Sequence, residues 1–173
     1  MHRPSTPLPS TPEPNPRIAS SARWTLAALA LSMLLSALGT SIANVALPTL
    51  AIALHASFGE VQWIVLAYLL AVTSSIVGAG RLGDLLGRRR VLLMGVALFT
   101  AASALAGLAP SLGVMLLARA VQGLGAAVMM ALSLALVGES VPAAKTGAAM
   151  GLLGTTSAIG TALGPSLGGL LID

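Results

Sequence analysis

The stretch Gly80-Arg81-Leu82-Gly83-Asp84-Leu85-Leu86-Gly87-Arg88-Arg89-Arg90 concentrates five charged residues and three glycines in eleven positions. The charges stop on both sides of it: none occurs between Glu60 and Arg81, and none between Arg90 and Arg119. A spanning helix needs about 20 mostly apolar residues to cross ~30 Å of hydrocarbon, and each flank supplies that length. The stretch therefore reads as the tight turn of a helical hairpin in a membrane. Its glycines suit two helix ends that approach closely, or a residue with positive φ. Asp84 is placed to cap the next helix or to pair with Arg88, while Arg88, Arg89 and Arg90 anchor the turn among lipid headgroups.

Similar gaps recur outward from this turn. No Asp, Glu, Lys or Arg lies between Arg23 and Glu60, between Arg119 and Glu139, or between Lys145 and Asp173. The transmembrane region is predicted over 24–173, with spans at 24–47, 61–80, 91–109, 112–137 and 146–172. Pro48 is read as the end of the first helix; Ala109-Pro110-Ser111 separates the third from the fourth, and Gly138 with Pro142 the fourth from the fifth. Arg119 falls inside the fourth span, because cutting the chain there leaves no room for a span in front of it. Trp24 and Trp63 sit at proposed helix ends, where amphipathic rings favour the interface. Residues 1–23 differ: six prolines between Pro4 and Pro16, mixed with Ser, Thr and Arg, predict a disordered cytoplasmic tail.

Composition excludes the competing classes. Charged residues make up 8% of the 173, against about 25% in soluble domains, so a water-facing surface cannot be built. A mean hydropathy of +0.94 excludes a disordered chain. The fold class is an all-α membrane protein. Of nine Lys and Arg residues, eight fall in the tail, the 81–90 loop and the 138–145 loop, which share one side of the membrane. The positive-inside rule makes that side the cytoplasm and places the N-terminus there. The net charge of +4 spread in this way makes no nucleic-acid surface. The absence of cysteine removes disulfides, thiolate metal sites and thiol nucleophiles. His2 and His55 lie in the tail and an outer loop, so no metal site is expected, and no nucleophile–base–acid set suggests an enzyme.

Two further patterns carry mechanism. Arg119 near the middle of a span costs ~2.5–3.5 kcal/mol to insert, so it should face a partner or a wet cavity; the alternative is an arginine snorkelling to the interface. Gln122, Gly123, Ala126 and Ala127 share its helical face. In the last span Gly160, Gly164 and Gly168 recur every four residues, accompanied by Gly151, Gly169 and Pro165. The spacing predicts a groove for a closely approaching helix, and Pro165, which cannot donate to the Thr161 carbonyl, predicts a kink.

The turn motif G-x-L-x-D-x-x-G-R-R resembles the loop between helices 2 and 3 of the major facilitator superfamily, with Leu85 where a basic residue is common. The run Met115–Ala127 resembles the helix-4 motif of that superfamily's proton-coupled exporters. The pattern from Gly151 to Gly169 resembles its helix-5 antiporter motif. Ser41-Ile42-Ala43-Asn44-Val45-Ala46-Leu47-Pro48, then Gln62-Trp63 and Ala67-Tyr68, is similar to the first two helices of the 14-helix drug:proton antiporters. The resemblance implies proton-driven efflux of small, often lipophilic or cationic compounds. It implies no cofactor, the energy coming from the proton gradient. It also implies a gating latch on Gly80, Asp84, Gly87, Arg88 and Arg89, and a proton-coupling role for Arg119 with Gln122 and Gly123. Asn44 and Pro48 mark the first-helix motif.

Two departures qualify that picture. Gly39 stands where the family usually has an acid, so no carboxylate remains in any span. Five spans are also one short of a pseudo-symmetric six-helix half. The chain is therefore expected to be the N-terminal part of an exporter, in contact with lipid, a small-molecule substrate and a missing C-terminal half, and inactive alone. Arginine over lysine at eight to one, with abundant alanine, suggests a bacterial inner-membrane protein. The rival is a non-transporting membrane fragment or helix-interaction protein.

Overall fold

The computed structural model describes residues 16–172, and side chains within 23–170. Five helices follow one another: α1 (Pro16–Ala53), α2 (Phe58–Leu86), α3 (Arg88–Gly107), α4 (Leu112–Ser140) and α5 (Ala143–Ile172). There is no strand among the described residues. Among the described residues, four helices are long and apolar enough to cross a membrane: Arg23–Ala53 of α1, and the whole of α2, α3 and α4. α5 has the length, at 30 residues, but seven glycines together with its threonines and serines dilute its hydropathy. The expected fifth span is thus absent from the helices that meet that description.

The helices overrun several expected limits. α1 begins at Pro16, inside the segment expected to be a disordered tail. The rest of that tail, 1–15, lies outside the described residues. Pro48 does not end α1, which continues to Ala53. A proline removes one hydrogen bond without forbidding the turns that follow, and the chain leaves the helix only near His55, which has positive φ. The 81–90 turn contracts to Gly87 alone, at φ 93°, a value that glycine adopts freely. Gly80, Gly83 and Asp84 therefore belong to the last turns of α2. Asp84 does not cap α3, whose N-terminus has no side-chain cap. Two other starts are capped: Ser57 and Glu60 form a reciprocal capping box on α2, and Ser111 accepts from the Val114 N–H on α4.

α4 is the hub. Half of its most apolar window is buried inside the protein, against 22–28% for the other three spanning candidates. It packs on α2 and α3 along most of its length and also touches α1 and α5, while α5 lies mainly along α1. Three apolar clusters hold the layers. Leu47, Val61, Ile64 and Met115 join α1, α2 and α4 at one end. Tyr68, Val72, Phe99, Ala126 and Met129 join α2, α3 and α4 in the middle. Leu29, Met33, Val137, Ala149 and Leu153 join α1, α4 and α5 at the other end. Large apolar side chains such as Ile52, Val77, Leu93, Leu117 and Leu170 point outward, as a lipid-facing surface requires.

Small residues let the helices of the hub come close. A Cβ on Gly123 would sit 2.5 Å from the Tyr68 carbonyl oxygen of α2. One on Gly125 would sit 2.7 Å from the Phe99 nitrogen and 2.9 Å from the Gly95 oxygen of α3. In lipid, helix association depends on this kind of contact, because the hydrocarbon tails remove the hydrophobic drive. Gly125→Ala is expected to lower stability by ~1–3 kcal/mol, since backbone cannot swing aside as a side chain can. Gly151→Ala, with nothing within 4 Å, should stay within about 0.5 kcal/mol. Unfolding titrations in mixed detergent micelles measure both.

Candidate functional site

At the Gly87 end of the hairpin, three ionic side chains meet. Arg88 donates from Nε and Nη2 to Asp84 Oδ1 at 3.0 and 2.8 Å, one helical turn back across the break. Its Nη1 reaches Glu139 Oε1 of α4 at 2.9 Å and the Ala135 carbonyl at 3.4 Å. Arg88 is thus a clamp between the α2–α3 turn and the end of α4. The expected Asp84–Arg88 pair is present. Glu139 was not singled out from the sequence, although the charge count had put its loop on the same side as the turn. Both bridges are exposed and worth about 0–1 kcal/mol each, so the clamp is one that opens easily. Gly83 is needed for the approach, since a side chain there would collide with Leu132 of α4. Gly80 meets nothing within 4 Å, and Arg89 is exposed, with no ion pair among the described residues.

Arg119 does not snorkel. It is 4% exposed, and its guanidinium is held by neutral groups from three helices. Nε donates to the Ile64 carbonyl of α2 at 3.3 Å, and Nη1 to the Gly39 carbonyl of α1 at 3.0 Å and to Gln122 Oε1 at 2.6 Å. The guanidinium carbon lies over the Tyr68 ring, 4.6 Å from its centroid, a cation–π contact. Gln122 Nε2 passes the chain on to Ser103 Oγ of α3 at 2.7 Å. One network therefore ties α1, α2, α3 and α4. Gln122 joins Arg119 as its face predicted, whereas Gly123 instead packs on α2 backbone. Gly39 has a steric role too: a Cβ there would sit 3.1 Å from Phe99 Cζ and 3.7 Å from Gln122 Nε2. Phe99 fills the space that an acid at position 39 would enter.

The glycine groove of α5 is occupied within the chain, not left for an absent helix. Gly160 faces Ala37 and Leu34, Gly164 faces Ser41, and Gly168 faces Ile42 and Val45, all on α1. Gly151 and Gly169 meet nothing within 4 Å, so the motif divides into a filled half and an open half. Pro165 leaves the Thr161 carbonyl without its helical donor, and Ser41 Oγ supplies one at 2.7 Å. The first-helix and fifth-helix motifs thus meet at one hydrogen bond. Asn44, one turn on, donates to the Thr40 carbonyl and lies exposed; Pro48 is exposed inside α1.

Between α1, α2, α4 and α5 lies an open cavity of about 260 Å³. Its polar lining is Ser36, Thr40, Ser41, Asn44, Ser157 and Thr161, together with Tyr68, whose hydroxyl donates to the Ser36 carbonyl at 3.1 Å. Tyr68 is thus shared between the cavity wall and the Arg119 site. Among the described residues no group of three or more His, Cys, Asp or Glu is placed to hold a metal. The wall offers hydrogen bonds and an aromatic face, suited to binding rather than to bond-breaking chemistry. Ser41→Ala is expected to cost ~1 kcal/mol by leaving the Thr161 carbonyl unpaired against α1. The same substitution at exposed Ser74, whose hydroxyl bonds only within its own helix, should be near neutral in the same unfolding assay.

Comparison with known proteins accords with this geometry. The sequence model of the Major Facilitator Superfamily matches residues 29–173. The chain is 45% identical over 150 residues to the multidrug resistance protein Stp of Mycobacterium tuberculosis, covering 86% of this chain and 28% of that protein. It is 40% identical over 149 residues to the tetracenomycin C resistance and export protein of Streptomyces glaucescens, covering 86% and 28%. To the riboflavin transporter RibZ of Clostridioides difficile it is 34% identical over 152 residues, covering 87% and 33%. The chain thus spans about a third or less of the length of these relatives. It is a multi-pass membrane protein and not an enzyme, and it belongs to the Major Facilitator Superfamily.

Proposed function

We propose that this chain forms the first part of a proton-driven exporter of small molecules, with its N-terminus in the cytoplasm of a bacterial inner membrane. The observation that carries the proposal is the polar cavity beside a buried, permanently charged Arg119. The export and drug-resistance names of the Stp and tetracenomycin C relatives support the same reading. Arg119 is a fixed charge in a low-dielectric setting, where a carboxylate facing it would be felt strongly while ionised and weakly once protonated. The acids within the helices of this chain, Glu60, Asp84 and Glu139, all stand in end turns, and none contacts Arg119. The proton acceptor then comes from sequence beyond the 173 residues, and the chain alone is inactive. The clamp of Arg88 on Asp84 and Glu139 is the cytoplasmic gate, weak enough to break and re-form in each cycle.

The test uses proteoliposomes with an imposed proton gradient and fluorescent compounds of each charge class. Two proteins are compared: the chain alone, and the chain joined to the remaining sequence of Stp. Gradient-dependent transport is expected only in the joined protein. Arg119→Ala should reduce it to the level of empty liposomes with membrane insertion intact, and Arg119→Lys should fail too, because an ammonium cannot reproduce the planar fork. Transport by the chain alone, or transport unchanged by Arg119→Ala, contradicts the proposal.

A further inference from the structure

We propose that the cavity wall built by this chain selects against cations, in favour of neutral or anionic compounds of the same shape; this deepens the export reading and rests on it. The wall carries no formal charge of its own. Its polar groups are hydroxyls, one amide and a phenol. The acids nearest in sequence stand at helix ends, Glu60 and Asp84 in the first and last turns of α2 and Glu139 at the end of α4. Asp84 and Glu139 are in addition engaged by Arg88.

Among the described residues, the one charge beside the wall is positive. Arg119 contacts two segments that form it: the ring of Tyr68, and the Gly39 carbonyl next to Thr40. Its Nη2 is buried with no hydrogen-bond partner among the described residues, and no ion pair includes it. Carbonyl and amide dipoles stabilise the guanidinium locally but do not cancel its charge, so a positive field extends into the cavity. A cation entering there gives up water, meets like charge and finds no carboxylate. An anion meets the favourable sign of that field. The second N–H of Asn44 and rotatable hydroxyls give it donors: those of Ser36 and Thr40 bond carbonyls one turn back in α1 and can turn away.

At about 260 Å³ the cavity takes one ring system, which sets the probes. Dansylglycine (anion), dansylamide (neutral) and a dansyl trimethylammonium derivative (cation) share one fluorophore. Binding to the chain in phosphatidylcholine nanodiscs is read from dansyl emission against empty nanodiscs. The first two should bind about tenfold or more tightly than the cation. Arg119→Gln should bring the three together, and Ser157→Asp, which places a carboxylate on the wall, should reverse the order. Ser157 is half-buried, so the second variant keeps the test decisive if the first does not fold. Equal or tighter binding of the cation by the unaltered chain, or an order that Ser157→Asp does not move, overturns the inference and leaves the export reading standing. Binding of no probe by the unaltered chain likewise overturns the inference, while the export reading is judged by transport in the joined protein.

Discussion

The Arg119 guanidinium must be solvated in place by protein dipoles, deep among apolar helices, and the arrangement of four helices follows from how that is done. Leaving it in hydrocarbon would cost ~2.5–3.5 kcal/mol or more. Three of its contacts are to groups that any sequence offers somewhere, two carbonyls and an aromatic face, but they converge only if α1, α2 and α4 hold one register. Gln122 extends the constraint to α3 through Ser103. A cation held by dipoles alone keeps its net charge, and Arg119 carries it beside a polar cavity.

The close packing around it serves the same end. Gly123 and Gly125 remove the side chains that would hold α4 away from α2 and α3, and Gly39 leaves room for Phe99 beside the network. On the other flank, Gly160, Gly164 and Gly168 bring α5 onto α1. Ser41 then satisfies the carbonyl that Pro165 strands. A proline in a membrane helix is tolerated when a neighbour pairs the freed backbone group, and here the neighbour is the wall of the cavity itself. Cavity wall and helix packing are thus built from the same residues.

Much of this was legible in the sequence, and the failures have a common cause. Charge gaps pointed to the helices, because a charge along a span is costly and therefore rare, Arg119 being the exception. The Arg119–Gln122 pair followed from helical spacing, and the Asp84–Arg88 pair from its own spacing. Ile64 and Gly39 were not legible as partners, because they act through backbone carbonyls that every residue possesses. Glu139 was visible only as a loop acid, its partnership depending on where α4 ends relative to the turn. The groove of α5 was correctly read as a groove, but its occupant, α1, is a matter of tertiary packing. Pro48 was taken for a helix end when it only weakens one turn.

The central claim is that Arg119 is held inside the protein by backbone carbonyls. Solid-state NMR on the chain in lipid bilayers, with nitrogen labels on arginine side chains and carbon labels on glycine and isoleucine carbonyls, measures this directly. The account predicts dipolar coupling from the Arg119 guanidinium to the Gly39 and Ile64 carbonyl carbons, at separations of about 4 Å. Coupling to lipid phosphorus instead, with none to those carbonyls, would place the side chain at the membrane surface and contradict it.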